Sequence, residues 1–341
     1  MTVLIVTHSQ DNDAVDRVAA AVEARGVRAR RFDTDRFPTE TTISILDEPG
    51  VGDSRPRGWI VGPQGELALE EISAVYYRRS QVGGRIPADL DPQLRAPSIE
   101  ESRRVVHGLM AMLQAGGVFV LDRLEVVRRA QLKSLQLALA RRVGLEVPRT
   151  LVSNDPTAVR AFAARNPEGI ITKMMASFAV LDEGGREQVV FTNPVSEEDL
   201  EDLEGLSLCP MTFQERLTKA VELRVTVVGD QVMAASIDSQ SLPRAQEDWR
   251  REGAAFAQAW QRYELPPAVH AGTLALMDAL GLNYGAFDFV VTPQGRHVFL
   301  EVNPAGEYMW LLETPGLPID EALADLLCGR GKRRSAVVDP H

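Results

Sequence analysis

Two short stretches, Gly285-Ala-Phe-Asp-Phe-Val-Val291 and Val298-Phe-Leu-Glu-Val-Asn-Pro304, decide how this chain is interpreted. Both are rich in β-branched and aromatic residues, and the Thr292-Pro-Gln-Gly-Arg-His297 between them has the composition of a turn, so together they predict a β-hairpin. Side chains alternate between the two faces of a strand. The second stretch therefore divides into a set that faces a site and a set that packs inward: Phe299, Glu301 and Asn303 in the first, Val298, Leu300 and Val302 in the second.

This hairpin carries three oxygen ligands of the kind that metals use, Asp288, Glu301 and Asn303. If its loop is centred on Gln294-Gly295, Asp288 lies directly across from Glu301. Facing carboxylates repel each other unless a cation lies between them, and Mg²⁺ prefers carboxylate and amide oxygens together with phosphates. The spacing therefore predicts a Mg-ATP site. The alternative is an acidic hairpin on a solvated face, since a bulge at Gly295 would shift the register and separate the acids.

The composition limits the class of protein and its partners. With 341 residues, 45% of them hydrophobic, the chain is long enough for two or three units that each have a core. A net charge of -11 argues against general binding of nucleic acid or anionic membranes. Cys209 and Cys328 have no close spacing and fit a reducing cytoplasm. The first residues, Met1-Thr-Val-Leu-Ile-Val-Thr7, indicate a buried strand and not a signal or membrane segment. We therefore expect a cytoplasmic protein.

The pattern along the chain predicts three α/β units and a tail. The expected bounds are 1–121 for an amino-terminal α/β unit, 122–208 for a central unit, 209–330 for a unit with the metal hairpin, and 331–341 for a flexible tail. Helices are expected at residues 13–25, 132–143, 254–263 and 269–280, and a further helix is expected to start at a capping box over 98–101. A hairpin that turns at Gly184-Gly185 is expected between residues 169 and 192.

Transfer of a γ-phosphoryl group to a carboxylate requires cations more than bases. Lys133 lies at a helix start, and Lys173 lies between apolar neighbours in a predicted strand, where a buried lysine needs an anionic partner. The plainer alternatives are a solvated helix-start lysine and an edge-strand lysine that extends to water. Likewise, Glu222 and Arg224 share one strand face and fit a surface ion pair as well as a site.

The ordered set of these residues resembles the ATP-grasp carboxylate ligases. It comprises Lys133, Lys173, Gln214-Glu-Arg-Leu217, Glu222-Leu-Arg224, Asp288 and Glu301-x-Asn303. Four further segments are similar to the microviridin-type, or graspetide, peptide maturases within that group: Tyr76-Tyr-Arg-Arg79, Lys133-Ser-Leu-Gln-Leu137, Gly285-Ala-Phe-Asp-Phe289 and Asn303-Pro-Ala-Gly-Glu-Tyr-Met-Trp310.

This resemblance implies an α/β (α+β) chain in which a pre-ATP-grasp domain precedes an ATP-grasp fold. It implies that Lys133 and Lys173 hold the ATP phosphates, that Glu222 binds the ribose, and that Arg224, with Lys173, acts in catalysis. The residues implied at adenine are Gln214, Glu215, Arg216 and Leu217, and those implied at Mg²⁺ are Asp288, Glu301 and Asn303. The chain departs from many ATP-grasp ligases at Ala286, where they have an arginine, so Arg224 is the first candidate for stabilising the oxyanion.

The resemblance also implies a substrate: a ribosomal precursor peptide with a leader and a core, in which Asp or Glu side chains are joined to Ser, Thr or Lys. It implies a homodimer and a leader site on the hairpin between residues 169 and 192 and a nearby helix. Either Arg78 or Arg79 could bind the acidic core, and strand alternation predicts that they lie on opposite faces, so that one of the two points into the cleft; the plainer alternative is a solvated arginine at the end of a strand. The alternatives are a ligase that adds free amino acids to a protein or peptide, and a noncatalytic peptide-binding relative.

Overall fold

The computed structural model describes residues 1–46, 56–173, 192–239 and 258–334, and the backbone of two short strands at 179–181 and 187–189. Among these residues, no helix combines the length and the apolar character needed to cross a membrane.

The amino-terminal unit is built on a parallel sheet. Its elements are β1 Thr2–Thr7, α1 Ala14–Ala24, β2 Arg28–Asp33, β3 Thr42–Leu46, β4 Arg57–Gly62, β5 Gly65–Ala68, β6 Ile72–Tyr77, α2 Pro92–Ala115 and β7 Phe119–Leu121. The parallel strands have the order β2-β1-β6-β7, and β3, β4 and β5 form a separate antiparallel sheet. Every residue of β1 is buried, because α1 covers one face of the parallel sheet and α2 covers the other.

Helix α2 begins earlier than the sequence pattern predicts. Its N-cap is Asp91, whose side chain accepts a hydrogen bond of 2.8 Å from the backbone nitrogen of Gln93, and Pro92 occupies the first turn. Ser98 lies inside the helix, where its carbonyl accepts the hydroxyl of Ser102. The capping box predicted at 98–101 is therefore wrong, because an aspartate followed by proline gives an equally good start seven residues upstream of Ser98.

The central unit is a small antiparallel sheet with short helices. Its elements are α3 Leu124–Ala130, α4 Lys133–Arg142, β8 Thr150–Ser153, α5 Pro156–Ala164, β9 Ile170–Lys173, β10 Ala179–Leu181, β11 Glu187–Val189, β12 Asn193–Pro194, α6 Glu197–Glu201 and β13 Met211–Glu215. The strand order is β12-β9-β13-β8, and β10 pairs with β11. This pairing confirms the predicted hairpin, whereas its turn at Gly184-Gly185 lies outside the described residues.

The carboxyl-terminal unit holds the hairpin on which the interpretation of the sequence rests. Its elements are β14 Val221–Val228, β15 Gln231–Ile237, β16 Gln261–Tyr263, α7 Pro267–Leu280, β17 Tyr284–Val291, β18 His297–Asn303, α8 Met309–Glu313 and α9 Ile319–Leu327. All pairings in its five-stranded sheet, of order β16-β15-β14-β17-β18, are antiparallel. One face of this sheet packs against α4 and α7 through a cluster of phenylalanines: Phe287, Phe289 and Phe299.

One expectation about this unit is wrong where the structure describes it. Residues 261–263 of the helix predicted at 254–263 form β16, because the open edge of β15 offers them backbone partners; residues 254–257 are outside the described part. Of the predicted flexible tail the structure describes residues 331–334: Lys332 and Arg333 are exposed, whereas the Arg334 side chain is 9% exposed and donates hydrogen bonds to the carbonyls of Gly229 and Leu274.

The amino- and carboxyl-terminal units share one hydrophobic core. Helix α1 packs against α9, and ion pairs join them: Arg17 to Asp320 at 2.9 Å, and Arg25 to Glu321 at 2.8 Å and to Asp325 at 2.7 Å. This docking brings the carboxyl ends of β1 and β6 beside the segment that follows β18.

Candidate active site

The register of the β17–β18 hairpin places Asp288 directly opposite Glu301, which confirms the predicted pairing. The loop, however, differs from the prediction. Gly295 has φ 78°, and its nitrogen donates to the carbonyl of Thr292, so the turn is a three-residue loop with a glycine bulge. A second irregularity between Asp288 and Phe289 shifts the register back by one residue. The two shifts cancel, and the acids face each other although the loop is not centred on residues 294–295.

The second irregularity also decides which side chains share a face. Phe299 pairs with Phe289 and is fully buried in the phenylalanine cluster, on the same side of the sheet as Val302. The prediction that Phe299 shares a face with Glu301 is therefore wrong. Leu300 is the extra residue on β18, and inserting one residue reverses the alternation on either side of it.

Arg224 lies next to Asp288 in the neighbouring strand β14. Its Nη1 contacts Asp288 Oδ1 at 2.9 Å, its Nη2 donates to the carbonyl of Glu307 at 2.9 Å, and its guanidinium lies over the ring of Trp310. Burial alone would lower the pKa of Arg224, but the charge and hydrogen bond of Asp288, together with the nearby Tyr284 and Glu301, outweigh burial and raise the pKa above its ordinary value. Arg224 is thus a fixed positive charge in the floor of the site.

Lys133 opens α4, and its Nζ contacts Glu301 Oε2 at 2.9 Å. The buried side chain of Gln136, one turn along α4, holds the helix there: it accepts a hydrogen bond from the nitrogen of Val302 at 3.0 Å and donates to the Val302 carbonyl at 2.7 Å. Sequence reasoning missed Gln136. The available signal was an amide in a helix face that is otherwise apolar.

The oxygen donors on the hairpin fit a magnesium ion. The side chains of Asp288 and Glu301 are 21% and 27% exposed, so both carboxylates remain partly open to solvent. Asn303 follows at the end of β18, exposed and opposite Ala286, and its Oδ1 accepts a hydrogen bond from the nitrogen of Ala305. Two carboxylates and an amide oxygen are the hard donors that Mg²⁺ prefers.

The structure gives a reason for the alanine at position 286. A Cβ added to Gly306 would lie 2.5 Å from the Cβ of Ala286 and 2.7 Å from Nη2 of Arg224. Ala286 is fully buried, so there is no room at this position for an arginine side chain. The guanidinium of Arg224 instead enters from the adjacent strand and lies against Gly306.

Of the residues predicted to bind the nucleotide, Lys133 opens α4, and the others lie on β9, on β13 and the two residues after it, and at the start of β14. Lys173 ends β9 opposite Thr212, Gln214 is buried and donates to Thr150 Oγ1 at 2.9 Å, and Arg216 donates its backbone nitrogen to the Gly169 carbonyl. Glu215 pairs with Arg149 at 2.8 Å, and Leu217 follows it at the rim of a surface cavity.

Glu222 and Arg224 do not form the surface ion pair that was the alternative for them. Both are buried, with Glu222 paired to Lys219 at 3.2 Å and Arg224 paired to Asp288. Burial raises the pKa of Glu222, partly offset by the charge of Lys219. Both side chains are therefore buried on the same strand, β14, two residues apart.

Arg78 and Arg79 both contact one charged cluster, which contradicts the prediction that they point to opposite sides. Each forms ion pairs with Asp11 and with Glu307. The reason is that β6 ends at Tyr77, so the alternation of a strand no longer applies at residues 78 and 79. Arg78 is buried, with its guanidinium over the ring of Tyr308, whereas the Arg79 side chain is 39% exposed.

Comparison with known proteins agrees with this architecture. Residues 2–128 match the family model described as the MvdD pre-ATP grasp domain. The macrocyclase MdnC from Microcystis aeruginosa, solved with the precursor peptide MdnA, is 44% identical over 96% of this chain and 100% of its own, with a TM-score of 0.86. A RiPP-associated ATP-grasp ligase from Chryseobacterium gregarium, solved with ADP, leader and core peptide, is 34% identical over 99% of both chains, with a TM-score of 0.92.

A third relative is the ATP-grasp ligase PsnB, solved with a minimal precursor variant, Mg and ADP; it is 28% identical over 97% of this chain and 99% of its own, with a TM-score of 0.74. A comparison with curated proteins found no match. The fold is thus an ATP-grasp fold behind a pre-ATP-grasp domain, as the sequence predicts, and it defines an ADP-forming ligase. The chain belongs to the microviridin-type, or graspetide, family of ATP-grasp ligases that act in the maturation of ribosomal peptides.

Proposed function

We propose that this chain is an ATP-dependent macrocyclase that activates Asp or Glu side chains of a ribosomal precursor peptide and joins them to Ser or Thr hydroxyls, or to Lys amines, of the same peptide. The observation that carries this proposal is the pairing of Asp288 with Glu301 between two basic side chains, Arg224 and Lys133. It is supported by the relatives MdnC and the Chryseobacterium ligase, which were solved with precursor or leader and core peptides.

We assign ATP to the cleft between the β9–β13 sheet and the β17–β18 hairpin. Lys133 and Lys173 would hold its phosphates, and Glu222 its ribose; the adenine would lie along residues 214–217. Asp288, Glu301 and Asn303 would hold Mg²⁺, which supplies Lewis-acid stabilisation of the transferring phosphoryl group when bound. The Mg and ADP in the PsnB structure support this nucleotide and metal.

In this reaction a carboxylate oxygen of the peptide takes the γ-phosphoryl group, and ADP leaves. The hydroxyl or amine then attacks the carbonyl carbon of the acyl phosphate, loses its proton and expels inorganic phosphate. In both steps negative charge develops on unprotonated oxygen atoms of the reacting groups. Arg224, held at 2.9 Å by Asp288 on one side and by the Glu307 carbonyl on the other, presents a fixed cation to that charge with no reorganisation of its side chain.

We further propose that the Arg78 and Arg79 pair meets the acidic core, that the leader binds the β10–β11 hairpin and a nearby helix, and that the enzyme is a cytoplasmic homodimer. Binding the leader at a separate site raises the effective concentration of the core at the cleft. The leader and core peptides in the structure of the Chryseobacterium ligase support the two-part substrate.

The test uses a precursor peptide that has a leader and a core rich in Thr and in Glu or Asp, with ATP and Mg²⁺, followed by mass spectrometry and ADP measurement. Each ring formed removes one water, whereas addition of a free amino acid increases mass. Glu301→Gln should abolish both ring formation and ADP release, and Glu313→Gln, an exposed acid on α8, is the matched control. Unchanged cyclisation by Glu301→Gln, or a mass gain with wild type, would reject the proposal.

A further inference from the structure

The carboxylate of Glu307 lies between the two arginines at the carboxyl edge of the amino-terminal sheet. Its Oε1 contacts the guanidinium groups of both Arg78 and Arg79, and its Oε2 accepts a hydrogen bond of 2.8 Å from Nδ2 of Asn12. Glu307 is part of the carboxyl-terminal unit, but every partner of its side chain named here belongs to the amino-terminal one. The ends of parallel strands are a common place for ligands, and here a side chain of the protein occupies it.

The two acids of this cluster differ in how firmly they are held. The Asp11 side chain is 0% exposed and accepts hydrogen bonds from the Thr7 hydroxyl, the Arg78 Nε and the backbone nitrogen of Asn12. The Glu307 side chain is 25% exposed, and its partner Arg79 is 39% exposed. Glu307 is therefore the acid that a solute can reach and replace, whereas Asp11 is a fixed part of the interior.

The charges of the cluster balance. Two arginines face two carboxylates, so this group offers no net attraction to an acidic peptide. The whole chain, with a net charge of -11, repels such a peptide. A Glu or Asp side chain on a peptide presents the same carboxylate that Glu307 presents. The guanidinium groups can exchange one for the other without leaving a cation unpaired, which avoids the cost of a desolvated charge.

We propose that Glu307 is an internal competitor for the acidic side chains of the peptide: its carboxylate occupies the subsite on Arg79 and Arg78 that a substrate carboxylate takes on binding. The inference rests on the proposed function and adds a specificity-determining residue to it. The main-chain carbonyl of Glu307 accepts a hydrogen bond from Arg224 at 2.9 Å. Glu307, whose side chain is exchanged, therefore also positions the guanidinium of Arg224 at the reaction centre through its main chain.

The experiment measures binding and not turnover. A fluorescein-labelled peptide of alternating Thr and Glu, and the same peptide with Gln for Glu, are titrated against the full chain by anisotropy. Glu307→Gln keeps the shape of the side chain and removes its charge, so the acidic peptide should bind about fivefold tighter, as expected for one partly exposed ion pair, while the Gln peptide is unchanged. Glu66→Gln, an exposed acid on β5, makes the same change in net charge and should have no effect.

A role limited to holding the two units together gives a different result. It predicts a lower melting temperature for Glu307→Gln and equal or weaker binding of both peptides, and that outcome overturns the proposal, as does no binding of the acidic peptide to either protein. If Glu307→Gln fails to fold, Arg79→Gln tests the same subsite, because it should remove the preference for the acidic peptide; an unchanged preference rejects it.

The two proposals fail separately. If wild type cyclises the precursor but Glu307→Gln does not favour the acidic peptide, only the role of Glu307 is rejected. If Glu307→Gln favours the acidic peptide but wild type removes no water from the precursor, the subsite stands and the proposed reaction is wrong.

Discussion

Replacing Gly306 with alanine should destabilise the protein and displace Arg224. The added methyl group would lie 2.5 Å from the Ala286 Cβ and 2.7 Å from Arg224 Nη2, both closer than real Cβ atoms approach their neighbours. Ala286 belongs to the centre of a sheet and moves little, so we expect an overpacking cost of about 1 to 3 kcal/mol in the free energy of unfolding. Arg224 would lose at least one of its hydrogen bonds to Asp288 and the Glu307 carbonyl.

The loss of one such charged hydrogen bond, about 1.5 to 3 kcal/mol, corresponds to a decrease of about 10- to 150-fold in kcat if Arg224 acts on the reacting oxygens. Urea unfolding followed by circular dichroism gives the stability, and ADP release with precursor gives kcat. Gly108→Ala is the control, because a Cβ there meets nothing within 4 Å and alanine in a helix interior should stabilise by about 0.5 to 1 kcal/mol.

The double variant Gly306→Ala with Ala286→Gly separates the two effects. It removes the 2.5 Å contact but keeps the 2.7 Å approach to Arg224. Stability should therefore recover in part while kcat remains low. Wild-type stability and kcat in the single variant would refute the packing argument, and full recovery of kcat in the double variant would refute the displacement of Arg224.

Three further predictions follow from the same geometry. Asn303→Ala should abolish ATP turnover with an unchanged circular dichroism spectrum, because its side chain is exposed in the cleft. Lys173→Met should weaken nucleotide binding by about 1.5 to 3 kcal/mol in calorimetry without changing leader binding, and equal affinity would remove Lys173 from the site. Burial raises the pKa of Asp122 from 3.8 to about 6, although hydrogen bonds from Asn283 and Tyr284 lower it. Between those values the folded chain keeps a proton that the unfolded chain has lost, so the contribution of this group to stability is complete at lower pH and decreases by about 3 kcal/mol as pH rises through 6. Urea titrations across this interval should show that Asp122→Asn lacks that part of the pH dependence.

The local sequence pattern was sufficient to predict the strands and the pairing of Asp288 with Glu301. Alternation and turn composition are properties of neighbouring residues, so the hairpin at 284–303 and the β-α-β opening were predictable. The type of loop was not predictable from this pattern, because Gly295, at φ 78°, and the extra residue Leu300 shift the register in opposite directions. Either shift alone would have separated Asp288 from Glu301.

Element ends were the weakest part of the sequence prediction, and one of them changed a functional expectation. Strand β6 ends at Tyr77, which lets Arg78 and Arg79 both reach Asp11 and Glu307. Alternation assigned them to opposite faces only because the strand was taken to continue. A strand end depends on where its pairing partners stop, and β1 and β7, the neighbours of β6, are not adjacent to it in the chain.

The features that sequence reasoning missed share one physical property: they act on the main chain of a distant segment. Gln136 bonds the backbone of Val302, 166 residues away, and Arg224 bonds the carbonyl of Glu307, 83 residues away. Gly306 matters because the backbone there must pass close to Arg224. Every residue carries the same N–H and C=O, so the receiving position leaves no signature in the sequence. A motif therefore gives the types of residue that perform the chemistry, whereas the contacts that hold them at 2.9 Å from one another follow only from the fold.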